Sequence, residues 1–151
     1  MSEPAHAKNE SPKEDRLELA VRLLLITVIA LLAANVLVLA VGSFYNDRAC
    51  QNMLRLAARA RMEGRDQRAI MRAAFNELTM YGDGGYFVQH PQCTQFIMQN
   101  TGTESILQVQ TATNVRLPAP IFVAEGLKDN GCIVLYKTYK STFKNGSSST
   151  E

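Results

Sequence analysis

The sequence predicts an α+β chain: an N-terminal helix long enough to cross a membrane, a juxtamembrane helix continuing from it, and a small antiparallel-sheet head. Three observations carry this prediction. An uncharged apolar run extends from Leu23 to Gly42, and a stretch rich in Ala, Leu, Arg and Met without Gly or Pro follows from Asn46 to Glu63. After the turn cluster Tyr81 to Gly85 the hydrophobic period changes from that of a helix to that of a strand.

Residues 1–16 are polar, carry Pro4 and Pro12, and have no apolar periodicity, so they are expected to form a disordered cytoplasmic tail. A transmembrane helix is expected over residues 17–43. Its uncharged part is 20 residues long, about 30 Å at ~1.5 Å per residue, which matches the hydrocarbon core of a bilayer. A cleaved signal peptide is the main alternative, but the run exceeds the ~7 to 15 residues of a usual signal core, and no small-x-small site follows it directly. Phe44 and Tyr45 stand where interfacial aromatics are expected.

Orientation rests on flanking charge. Lys8, Lys13, Arg16 and Arg22 precede the span, and Arg48, Arg55, Arg59 and Arg61 follow it. Weighted toward the membrane, this near balance tips to a cytoplasmic N-terminus with residues 44–144 outside the cytoplasm. Within that domain the first helix is expected to stop at Gly64, and Asp66 to cap a second helix running to about Met80. Tyr86 to Val88 reads as a short strand. Ser105 to Leu117 alternates, with Leu107, Val109, Thr111, Thr113, Val115 and Leu117 on one face. Ile121 to Val123 reads as a further short strand, the Asp129-Asn130-Gly131 turn introduces a long final strand from Cys132 to Phe143, and residues 145–151 form a polar, disordered end.

With 151 residues and a formal net charge of +2, the chain has room for one modest core and lacks the basic excess of a nucleic-acid binder. Locally, seven arginines against four acids between Asp47 and Glu77 make a basic helix face, with Arg48, Arg55 and Arg59 placed for anionic lipid or an acidic partner. Local Arg–Glu pairing on a solvated face is the competing explanation. The small residues Ala57, Ala58 and Ala60 suit either close packing between copies or core packing within one chain.

The three cysteines, Cys50, Cys93 and Cys132, have no CxxC spacing, so no metal clip is expected. In an oxidising compartment Cys93 and Cys132 are the expected pair, against the alternative of three reduced, mostly buried thiols. His90 and Cys93 lie three apart, but the other histidine is His6 in the tail, and neither a phosphate loop nor a GxSxG elbow is present. No catalytic residue, metal or cofactor is expected, and the chain is not expected to be an enzyme.

The order of parts is a polar tail, a carboxylate before an apolar run in Leu17-Glu18-Leu19, a span running into an Ala/Arg-rich helix to Ala60, and a strand-rich head. This order resembles the pilin-like proteins, most of all the minor pilins and pseudopilins of the tight-adherence (Tad) pilus assembly system. The resemblance implies a non-enzymatic pilus or secretion component, with Glu18 matching the carboxylate tied to prepilin processing and subunit registration. Its partners would be membrane lipid, other envelope or pilus-assembly proteins and copies of itself, with no nucleic acid. Small residues and an amide favour helix approach in lipid, which makes Ala33, Ala34 and Asn35 the expected lateral contacts. The alternative is a tethered module whose head binds a ligand or another envelope protein.

Overall fold

The structure is a computed structural model that describes residues 12–82, 84–120 and 131–144. One helix, α1 (Pro12–Met62), runs unbroken for 51 residues, about 75 Å at ~1.5 Å per residue. Pro12 opens it at a position where the missing N–H costs nothing, and Gly42 is the one glycine in its interior. Residues Pro12 to Arg16, expected in the tail, are therefore helical. Gly64 ends the helix as expected: at φ +72 its N–H bonds Arg61 O at 2.9 Å, and Arg65 N bonds Ala60 O at 3.1 Å. Those two bonds form a Schellman cap that satisfies the last carbonyls.

Asp66 caps the second helix, α2 (Gln67–Met80), by accepting from Ala69 N at 3.0 Å. The buried side chains of α2 are Ile70, Ala74 and Leu78, spaced by four, so one stripe of α2 faces α1 and the sheet. Three strands follow: β1 (Gln92–Thr101), β2 (Glu104–Arg116) and β3 (Cys132–Lys144), antiparallel in the order β1-β2-β3. The expected strand at Tyr86 to Val88 reduces to a single bridge, Val88 to Val115. Ile121 to Val123, Asp129 and Asn130 lie outside the described residues, as does the end over 145–151.

Every second residue of β2 from Ser105 to Val115 is buried, with Leu107, Val109 and Val115 fully covered. The helix can lie close on this face because its own contribution is mostly small. Ala49, Cys50, Ala57 and Ala60 flank one large side chain, Met53, and all five are buried. Ala57 and Ala60 are thus used inside the head, in the core of one chain.

The strand order corrects the expected disulfide: Cys50, Cys93 and Cys132 are all free thiols. Cys93 sits opposite Thr111 on one edge strand, and Cys132 sits opposite Arg116 on the other. Two strand spacings of ~4.8 Å and five residues at ~3.3 Å put their backbones nearly 20 Å apart, far beyond the ~7 Å limit of a disulfide.

Candidate functional site

The apolar half of α1 has no protein cover. From Leu17 to Leu32 the large side chains stand largely exposed, Leu17 at 69% and Leu24 at 66%, in a helix long and apolar enough to cross a membrane by length and composition. At its start Glu18 and Arg22 form an ion pair one turn apart, on exposed side chains. Ala33 is exposed and Ala34 half-buried.

Asn35 is the first buried position along α1, while Val36 and Leu37 beside it stay exposed on the other faces of the helix. The Asn35 side chain is 3% exposed. Nδ2 donates to Ala119 O at 2.8 Å, and Oδ1 accepts from Ala119 N at 3.0 Å. Both ends of the amide are therefore spent on one backbone residue of the segment after β2. Of the three residues expected to form lateral contacts, Asn35 is the one occupied within its own chain.

The seam between helix and sheet continues upward at helical spacing. A Cβ at Gly42 would collide with Cγ2 of Val115, so the absent side chain is what lets β2 rest on the helix there. Asn46, 1% exposed, donates to Leu135 O at 2.9 Å and accepts from Thr113 Oγ1 at 3.1 Å. One turn on, the Cys50 thiol lies 3.5 Å from both Val109 O and Lys137 O, and burial pushes its titration above the ordinary thiol range. These polar groups meet β2 and β3 at fixed rungs and so specify how far the sheet slides along α1.

Beside the seam, Asp47 accepts from Tyr139 Oη at 2.7 Å and pairs with Lys137 Nζ at 2.9 Å. The Tyr139 hydroxyl first, and the Lys137 ammonium second, hold its carboxyl below the usual carboxylate range. Asp47 in turn raises Lys137.

The basic residues divide. Arg61 turns inward to Ser105 and to Asn100 at 3.0 Å, with its guanidinium over the Phe143 ring. Arg59 pairs with Glu63 at 3.1 Å, as local pairing on a solvated helix implies. Arg48 and Arg55 are exposed and form no salt bridge among the described residues. Arg55 and Arg59 edge an open cleft of about 540 Å³ between α1 and α2, with Asn52, Met62 and Glu77 on its other walls.

His90 and Cys93 are brought into no larger cluster. Among the described residues no group of three or more His, Cys, Asp or Glu is placed to hold a metal ion. Burial raises Cys93 and keeps it a thiol at neutral pH, the opposite of what a nucleophile needs.

Sequence reasoning missed the Asn35 and Asn46 contacts. The signal was present in outline, because the stripe Cys50, Met53, Ala57 and Ala60 extends backward through Asn46, Gly42 and Asn35 at the same helical spacing. Comparison of the chain with known protein families, curated proteins and solved structures returns no match. What remains is the shape itself: a long apolar N-terminal helix with an antiparallel sheet packed along its second half, which is a pilin-like shape.

Proposed function

We propose that this chain is a non-enzymatic, single-pass membrane protein of pilin-like type. In this reading the apolar part of α1, within residues 17–43, spans the bilayer with the N-terminus in the cytoplasm, and the head stands outside and makes assembly contacts. The observation that carries the proposal is one unbroken helix whose apolar first part is bare on every side, whereas from Asn35 onward the sheet covers one stripe of it. A stem with such exposed leucines is insoluble in water by itself: at ~25 cal/mol per Å² each wet leucine forgoes about 2 kcal/mol. Lipid or neighbouring stems must cover it.

Lateral packing would use Ala33 and the exposed leucine face, where close approach is cheap, and the Glu18–Arg22 pair would set the stagger between stems. Replacing Glu18 with Gln should impair assembly in this reading and would leave a simple tether unaffected. Crosslinking in membranes decides between them: the proposal expects fewer crosslinked multimers for Glu18→Gln and for Ala33→Asp, and equal yield for both variants refutes it.

One observation favours a second reading, a tethered binding module. The cleft edged by Arg55 and Arg59 is open, and its rim includes Met62, 72% exposed. An acidic peptide partner suits that combination of charge and exposed apolar surface. Arg55→Glu should abolish such binding and leave crosslinking between stems unchanged.

A further inference from the structure

We infer that the stem-side end of the head is itself seated in the lipid interface, so that the protein meets the membrane through both its helix and the base of its sheet. This rests on the membrane-anchored reading above and adds a surface that reading does not need. Three independent observations converge on it.

The first is length. Between the Glu18–Arg22 pair and the Asn35 clasp lie only the residues Leu23 to Ala34. Twelve helical residues cover about 18 Å, well short of the ~30 Å hydrocarbon core. If the ion pair marks the inner boundary, Asn35 and the residues around it lie at membrane depth on the other side.

The second is the chemistry of the segment at that depth. In Leu117-Pro118-Ala119-Pro120 the two prolines carry no N–H, Leu117 N bonds Gly131 O at 3.0 Å, and Ala119 N bonds Asn35. Every backbone donor of this irregular segment is satisfied within the chain. Irregular backbone near hydrocarbon needs its polar groups met by protein, and here all the donors and the Ala119 carbonyl are met in that way. An ordinary surface loop, free to bond water, has no need of it.

The third is the distribution of side chains along the sheet. The antiparallel register sets Val115 against Gly42 and Val109 against Cys50, so the end of β2 near Arg116 is the end nearest the stem. Exposed aromatics gather there: Phe44 at 65%, Tyr86 at 75% and, on the outer face of β3, Tyr136 at 63%. Phe87 stands edge-on to Tyr86, and the guanidinium of Arg116 lies 5.3 Å over the Tyr86 ring, donating to its hydroxyl at 3.0 Å. The opposite end of the sheet exposes Glu104, Lys140 and Lys144. Aromatic rings with an arginine at one end, and charge at the other, match the depth profile of a bilayer interface.

The chain contains no tryptophan, so single substitutions report depth without background. The full-length protein is reconstituted in phosphatidylcholine vesicles brominated near the glycerol end of the acyl chains. Leu25→Trp, Phe44→Trp, Tyr86→Trp and Lys140→Trp are compared by emission maximum and quenching. The inference expects a blue-shifted, strongly quenched indole in Leu25→Trp, Phe44→Trp and Tyr86→Trp, and an unquenched, water-like one in Lys140→Trp. Quenching in Leu25→Trp and Phe44→Trp without quenching in Tyr86→Trp overturns the seated base and leaves the anchoring helix standing. Quenching in Lys140→Trp as well overturns the oriented seat, since the head would then lie flat. An unquenched Leu25→Trp overturns the membrane anchor and the inference together.

Discussion

Replacing Asn35 with Ala removes both halves of the amide clasp and leaves Ala119 N–H and C=O buried without partners. Each such bond contributes ~0.5 to 1.5 kcal/mol net, and each orphaned buried group costs ~1 to 3 kcal/mol. Allowing for partial rehydration as the segment loosens, the local cost is about 2 to 4 kcal/mol. At ~1.4 kcal/mol per decade this multiplies the open population of the 117–120 segment by roughly 30 to 1,000. Hydrogen exchange of the Ala119 amide in detergent-solubilised protein reads that population directly, because exchange through local opening follows its free energy. The Ala119 amide should exchange faster by that factor in Asn35→Ala, while amides at Leu107 and Val109 in the centre of β2 keep their protection. An unchanged Ala119 rate, or uniform loss across β2, refutes a local clasp and returns Asn35 to the lateral interface.

Three further predictions follow from the seam. Gly42→Ala gains ~1 kcal/mol of helix propensity but drives a methyl into the stiff Val115 side chain, at an overpacking cost of ~1 to 3 kcal/mol. A net loss of about 1 kcal/mol should lower the head's Tm by ~4 to 8 °C in calorimetry, and a raised Tm contradicts the contact. The lowered Asp47 carboxyl contributes stability that is present above its ordinary value of 3.8 and lost as pH falls through the folded value. The raised Lys137 contributes stability present below 10.5 and lost as pH rises through its folded value. Denaturant midpoints should therefore fall in both acid and strong alkali, and Asp47→Asn should flatten both limbs; an unaltered profile removes the pair from the account. Alkylation followed by mass spectrometry should find three free thiols under non-reducing conditions, with Cys50 the slowest to react, as its zero exposure and raised titration require. A Cys93–Cys132 crosslink in that experiment would contradict the strand order.

Much of the fold was legible because its elements obey one period each. α2 begins after its aspartate cap and ends at Met80 as the Asp66 and Ile70–Leu78 spacing implies, and β2 shows the alternation of Leu107 to Val115 without a break. β1 was missed for an identifiable reason. Gln92–Thr101 carries a register shift between Cys93 and Gln95, and its apolar residues Phe96, Ile97 and Met98 are consecutive, which erases the alternation that marks a strand. The disulfide expectation failed because pairing two cysteines requires strand order, and neither cysteine carries information about which edge it occupies. Asn35 read as a lateral contact because an amide in an apolar run satisfies itself equally well on a neighbouring helix or on its own chain. Its partner, the Ala119 backbone, has no side-chain signature and lies 84 residues away.

The central claim, an anchored stem carrying an external head, is tested most directly by a reporter active only outside the cytoplasm, fused after Lys144. It is read together with extraction of the membranes at alkaline pH. An active reporter on a chain that only detergent releases is the predicted result. An inactive reporter, or release of the chain by alkali alone, contradicts it.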